Sequence, residues 1–213
     1  MNAPGASATR SAWVDDAPLV LASRSAARLA MLASAGLPAE LVPADIDERG
    51  LEEQYLARGE PLEGLASSLA QAKALAASAV RPDAYCLGAD QTLTLGPQLL
   101  HKPANLAEAA ETLTALSGQT HRLTSAFSIA LAGETLVTDS DAARLTMRTL
   151  SRDEISRFLD FVGEAALSSV GAYQVEGVGV HLFERIEGGH WTVLGLPMLK
   201  VLAWFRSQGL LAL

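Results

Sequence analysis

The chain has 213 residues, 49% of them apolar and 19% charged, which suits one large domain with its own core and excludes a disordered chain. Its 16 basic and 24 acidic residues leave a formal charge of −8, which argues against general affinity for nucleic acid or an anionic membrane. A polyanionic ligand would therefore need a local basic cluster, helped by a metal ion.

The opening stretch, "MNAPGASATRSAWVDD", lacks the apolar centre of a secretion signal and is expected to form a loose, flexible extension over residues 1–17. "PLVLAS" at 18–23 reads as a buried strand, after which Ser25 caps a helix over 26–35 that Gly36 ends. The acidic loop "VPADIDER" and a short helical piece near 51–58 precede a longer helix at about 61–80, whose Leu65, Leu69, Ala72 and Ala76 share one face. "AYCLGAD" reads as a buried strand ending at Asp90, and "TLTLG" continues towards a turn at Gly96-Pro97. The lone Cys86 in that run cannot form an internal disulfide and reads as a buried structural thiol, consistent with a reducing cytoplasm. No apolar run approaches the roughly 20 residues of a membrane span.

Asn105 with Glu108 offers a capping pair for a helix over 106–116, stopped by Gly118. Residues 122–131 and 135–147 alternate as a pair of strands around "AGE". Ser151 with Glu154 caps the helix "RDEISRFLDF". "GVGVHLFERI" and "WTVLG" read as a second strand pair, and Pro197 opens a last helix at about 197–207. Alternating strands and helices followed by antiparallel pairs predict a mixed α/β fold in two lobes, and an exposed strand pair would suit a homodimer.

The strand-to-helix turn at "LASRSAARLAML" gathers Ser23, Arg24, Ser25 and Arg28 where free backbone N–H groups and the positive helix end favour an anion. Either Ser25 simply caps and the arginines are solvated, or the turn binds phosphate. Lys73 lies about 80° from Leu65 on a helical wheel, at the border of the apolar stripe. It either snorkels to water or points into a cleft. Lys102 in "HKP" is a surface loop lysine or a second phosphate contact. Asp90 stands where a buried strand ends, a position from which a carboxylate can act as a turn cap, a general base towards water, or a ligand for a divalent cation. Glu48, beside Asp45 and Asp47, offers a second metal-binding carboxylate or a solvated acid. His101 and His121 sit in loop-like contexts and His181 and His190 flank "LFERIEGG". None has ligand spacing, and all four are expected to be structural or solvated.

Seven segments in order, "LASRSAARLAML", "DIDE", "LAQAKA", "GADQTL", "KPANLAEAAETLTALSGQTHRLTSA", "GAYQVEGVG" and "GLPM", resemble the Maf family of nucleotide pyrophosphatases over about residues 19–205. The resemblance implies a mixed, two-lobed Maf/ITPase-like fold with a central cleft. It implies hydrolysis of a nucleoside triphosphate between the α and β phosphates, with a divalent cation (Mg, Mn or Co), clearing non-standard nucleotides. Asp90 matches the family's proton acceptor. Ser23, Arg28, Glu48, Lys73 and Lys102 match its polar residues around phosphate and metal, and Asp90 with Glu48 would hold the cation. Ala26, Ala27 and Ala30 depart from the family's "LASxSPRRxELL", so one expected arginine is missing, and Arg24 stands nearby as a substitute or a solvated residue.

Within the family, Gln91, Glu176 and "LFERIEG" look like the branch acting on 7-methyl-GTP, and Gln174 joins them as a substrate-binding candidate. A glutamate can accept from both N1–H and the exocyclic amine of guanine, whereas thymine or uracil would leave it unpaired. Glu176 otherwise pairs with a lysine or arginine. The alternatives are a dTTP/UTP pyrophosphatase, or a nucleotide-binding regulator of cell division and septum formation. Against the regulator, binding alone does not need the Asp90 carboxylate.

Overall fold

The computed structural model describes residues 11–213. In chain order it contains β1 (Leu19–Ala22), α1 (Ala26–Ser34), β2 (Ala39–Leu41), α2 (Glu48–Ala57), a 3-10 turn at Leu62–Gly64, α3 (Leu65–Val80), β3 (Tyr85–Leu95) and β4 (Gln98–Leu100). Then come α4 (Leu106–Leu116), β5 (Thr120–Leu131), β6 (Glu134–Met147), α5 (Arg152–Val162), 3-10 turns at Gly163–Ser168 and Val178–Leu182, β7 (Phe183–Glu187), α6 (His190–Val193) and α7 (Met198–Ser207). The fold is mixed α/β, as the alternation of elements predicts.

The helix starts follow local chemistry. The Ser25 hydroxyl accepts from the Arg28 N–H at 3.3 Å, and Asn105 Oδ1 from the Glu108 N–H at 2.9 Å. Ser151 and Glu154 complete a reciprocal capping box at α5. α2 begins earlier than the expected piece at 51–58, because Asp47 Oδ1 accepts from the Gly50 N–H at 3.0 Å and makes Glu48 the first helical residue.

The sheet runs β2-β1-β3-β5-β6-β7, with β4 pairing β3 off this path. β1 is parallel to β2 and β3, and the remaining pairings are antiparallel. β5 occupies one edge of β3 from Cys86 to Thr94, so β1 and β4 share the other. On that edge β1 pairs with Tyr85–Gly88 and β4 with Leu93–Leu95, leaving residues 89–92 without a strand neighbour. A gap in mid-sheet results.

Two main core clusters lie on one face of the sheet. Leu21, Leu87, Ala89, Phe127 and Ile129 pack with Leu32 of α1 and Phe205 of α7. Leu93, Leu123, Ala143 and Leu145 pack with Leu113 of α4 and Leu159 of α5. Residues two apart along a strand share a face, so Gln91 of β3 falls between Ala89 and Leu93, and Ser125 of β5 between Leu123 and Phe127. Gln91, Ser125 and Asp141 are register partners across β3, β5 and β6, a polar row separating the two cores. α3 packs on the other face through Ala66, Ala70 and Ala126.

Four expectations need correction. β3 runs unbroken from Tyr85 to Leu95, so Asp90 lies in mid-strand and is opened to the cleft by the missing neighbour at 89–92, not by a strand end. "GVGVHL" is a 3-10 turn, "FERIE" alone is a strand, and "WTV" belongs to the four-residue α6. Gly179 packs onto the Gln174 backbone, where a Cβ would collide, and the α6 carbonyls are taken by following backbone N–H groups and by the Gln91 and Ser125 side chains, so neither segment joins the sheet as a ladder partner. Residues 11–17 are packed, with the Trp13 ring edge-on to Tyr85 and Phe205 at 5.5 and 5.1 Å and a bridge from Trp13 to Leu211. Residues 1–10 of the expected extension lie outside the described residues. His121 is on β5, 1% exposed, not in a loop. No helix among the described residues is long and apolar enough to cross a membrane.

Candidate active site

β3 carries the centre of the site. Gly88 has no side chain, and a Cβ there would fall far inside contact distance of the Ala70 carbonyl oxygen and the Ala74 nitrogen. α3 can therefore lie directly against the strand. Lys73, one turn beyond Ala70, reaches Asp90, two residues beyond Gly88. Lys73 Nζ donates to Asp90 Oδ1 at 2.5 Å and to Glu48 Oε2 at 2.9 Å. Lys73 and Asp90 are 8% and 9% exposed, so the lysine does not snorkel to water. Such a pair needs several good contacts to offset its desolvation, and two carboxylates on one ammonium provide them. Asp90 Oδ2 has no hydrogen-bond partner among the described residues.

A cleft of about 1490 Å³ opens where β3 lacks its strand neighbour. Ser23, Arg24, Ser25, Arg28, Glu48, Lys73, Asp90, Gln91, Lys102, Gln174 and Glu176 all line it. The structure thus brings together every site residue proposed from the sequence, although they span more than 150 positions of the chain. Lys73 and Lys102 face the same cleft as Asp90.

Their surroundings differ. Arg28 Nε donates to the Gly195 carbonyl at 2.8 Å, and Nη1 to the Ala89 carbonyl at 2.9 Å and to Ser23 Oγ at 3.2 Å. Burial pulls its guanidinium below the ordinary arginine value, opposed by the Asp90 and Glu48 charges. Arg28 ties the β1–α1 turn to β3 and to the segment after α6, leaving Nη2 without a protein partner among the described residues. Gln91 Nε2 faces three acceptors, Ser125 Oγ at 3.0 Å and the carbonyls of Thr192 and Val193 at 3.1 and 3.0 Å. Its amide donors are spent on the protein, and a direct base contact is left to Oε1 alone. Arg24, Lys102 and Glu176 are exposed on the cleft wall and form no ion pair among the described residues. Gln174 Nε2 donates to Ser168 Oγ at 2.7 Å.

The cleft wall carries polar and charged groups at Ser23, Arg24, Lys73, Asp90 and Lys102, and apolar surface at Leu123, Val170, Tyr173, Val175 and Val193, which belong to a single core cluster, with Gln174 and Glu176 on the same loop as Tyr173. Sequence reasoning missed Ser125, Asp141, Thr192 and the Val193–Leu194 wall. Ser125 and Asp141 line up with Gln91 through strand register, and Thr192 and Val193 meet it through tertiary hydrogen bonds, neither of which local spacing announces.

Such a cleft suits a ligand that carries both a flat apolar ring and several anionic oxygens. Residues 18–208 match the family model described as Maf-like protein. A protein of Rhodopseudomonas palustris named nucleoside triphosphate pyrophosphatase is 51% identical over 201 residues, covering 94% of this chain and 98% of the relative. A protein of the same name from Bradyrhizobium diazoefficiens is 48% identical over 200 residues, with the same coverage of 94% and 98%. One from Mesorhizobium japonicum, named 7-methyl-GTP pyrophosphatase, is 49% identical over 191 residues, covering 90% of this chain and 96% of the relative.

Proposed function

We infer the reaction from one premise, that this chain belongs to the Maf-like family: it is a hydrolase of acid anhydrides, a nucleoside triphosphate pyrophosphatase. The observation that carries the mechanism is the Asp90 carboxylate, fixed through Oδ1 by Lys73 and open at Oδ2, in a cleft lined by further cations. Water attacks the α phosphorus and gives its proton to Asp90. The bond from the α phosphorus to the bridging oxygen breaks, and the products are a nucleoside monophosphate and pyrophosphate. Lys102 and Arg24 meet the departing pyrophosphate charge, and Ser23 and Ser25 orient the phosphate at the start of α1. Lys73 holds Asp90 in place.

The donor set fits a divalent cation such as Mg, Mn or Co. The Asp90 and Glu48 carboxylates, brought together by the Lys73 ammonium, both offer hard oxygen ligands and would hold the cation through the oxygens that Lys73 leaves free. When bound, the cation supplies neutralisation of the triphosphate charge.

The base we propose is a guanine, with 7-methyl-GTP as the substrate. Glu176 is an acceptor-only group without an ion-pair partner among the described residues, on the cleft wall three residues from Tyr173. Guanine offers it two adjacent donors, and methylation makes the ring cationic, which a carboxylate favours. The name of the Mesorhizobium japonicum relative points the same way. The substrate is then a modified nucleotide, removed before it reaches nucleic acid.

The test is a panel of 7-methyl-GTP, GTP, UTP and dTTP with pyrophosphate and orthophosphate assayed separately, with and without a chelator. Pyrophosphate release, highest on 7-methyl-GTP and abolished by the chelator, is expected. A higher kcat/KM on UTP or dTTP would replace the base assignment, and orthophosphate as the product would replace the reaction. Asp90→Asn should lower turnover by about 100-fold or more, the scale of general base catalysis. Unimpaired turnover would remove Asp90 from the mechanism.

A further inference from the structure

We propose that the polar row Gln91–Ser125–Asp141 is a positioning device that sets base selection by clamping the Thr192–Leu196 segment against the cleft. This rests on the cleft being the nucleotide site. The three residues are neighbours on three adjacent strands and point to the same face of the sheet. All three end on one residue. Asp141 Oδ2 accepts from the Thr192 hydroxyl at 2.7 Å, the Ser125 hydroxyl donates to the Thr192 carbonyl at 2.7 Å, and Gln91 Nε2 lies 3.1 Å from that carbonyl and 3.0 Å from the next.

The clamped segment needs such support. α6 has only four residues: the N–H groups of Leu194, Leu196 and Gly195 reach the carbonyls of His190, Trp191 and Thr192, and among the described residues the Val193 carbonyl is left to Gln91. Thr192 is 2% and Ser125 0% exposed, so unpaired polar atoms there would be costly. The segment also straddles the two cores, with Val193 packed in the cluster of α4 and α5, and Leu196 in the cluster of α1 and α7. Gly195 lies between them at φ +101°, and its carbonyl takes the Arg28 Nε–H. A strap fixed at Thr192, Val193 and Gly195 therefore joins the lobes over the polar row, and its Val193 and Leu194 face the cleft.

The consequence is a division of labour across the sheet. Successive strand residues face opposite sides, so Asp90 turns towards α3 and Lys73 while Gln91 turns towards the strap. Chemistry is set on one face and the shape of the base wall on the other. Gln91, with its amide donors spent, acts on the base through the strap.

The experiment measures kcat and KM for 7-methyl-GTP, GTP and UTP on the wild-type protein, Thr192→Val, Ser125→Ala, Asp141→Leu and Asp141→Asn, with thermal unfolding as a check of folding. Thr192→Val keeps shape and removes the hydroxyl. It and Asp141→Leu should raise KM for the preferred base about tenfold, shrink its preference over the poorest base at least fivefold, and leave kcat within twofold. Asp141→Asn still accepts from Thr192 and should restore the preference. Ser125→Ala tests the same strap through a different bond if Thr192→Val does not fold. A preference unchanged in the folded variants, or a loss shared equally by all three nucleotides, overturns the clamp while leaving the nucleotide reading intact. A wild-type protein that hydrolyses all three nucleotides without preference overturns the clamp and the base assignment, and one that hydrolyses none of them overturns the nucleotide reading itself.

Discussion

His121 offers a sharp test of how the interior beneath the cleft is built. Its Nε2 lies 2.6 Å from the Tyr173 hydroxyl, its ring centroid is 5.7 and 6.0 Å from those of Tyr173 and Phe183, and Nδ1 has no partner in the described structure. Burial lowers its pKa from 6.5 to about 4, since nothing nearby stabilises the imidazolium. The unfolded chain therefore binds a proton as pH falls below 6.5, while the folded chain stays neutral until about 4. Stability is intact above that window and is lost as pH falls through it. Linkage gives a loss of about 2.5 kcal/mol between pH 7.5 and 4.5 from this residue. Urea unfolding of the wild-type protein and His121→Asn at both pH values isolates the term, because carboxylates elsewhere titrate alike in both. The acid-induced loss should be about 2.5 kcal/mol smaller in the variant. Equal losses, or an NMR titration placing the His121 ring near pH 6.5, would refute the buried neutral imidazole.

Two other outcomes follow from packing and exposure. Gly88→Ala forces α3 away from β3, so stability should fall by about 1–3 kcal/mol as in other overpacked cores, and turnover should fall with it because Lys73 is carried away from Asp90. Chemical denaturation and a pyrophosphate assay check both, and full activity in a stable variant would contradict the close approach. The Cys86 thiol is buried, and desolvation pushes it up to about 11. Iodoacetamide at pH 7.5 should therefore label it only in denaturant, as mass spectrometry would show.

Helix caps were legible because their signal is local: Ser25, Asn105 and Ser151 each act within three residues. The long hairpin of β5 and β6 was legible because its alternation and its turn are both contiguous. β2 and β4, at three residues each, are too short to carry a periodic signal. "WTVLG" looks like a strand by β-branched content, whereas its backbone closes a helical turn and the distant donors Gln91 and Ser125 anchor that turn as a strap. Among the site residues, membership of the cleft was readable from segment order, while the use of each polar atom was not. Arg28 reads as a phosphate ligand in sequence, yet its Nε and Nη1 are bound to Gly195, Ala89 and Ser23. Lys73 shows the reverse. Its place at the edge of an apolar stripe allowed two orientations, and the smallness of Gly88 selects the inward one.

The line of Gln91, Ser125 and Asp141 across the sheet also bears on how such a chain can change over time. Hydrophobic interiors tolerate exchange only when neighbours adjust together. Here two interiors are kept apart by a hydrophilic border, so drift in size or shape on one side need not be answered on the other. What both sides must preserve is the border itself, and variation should be scarcest there.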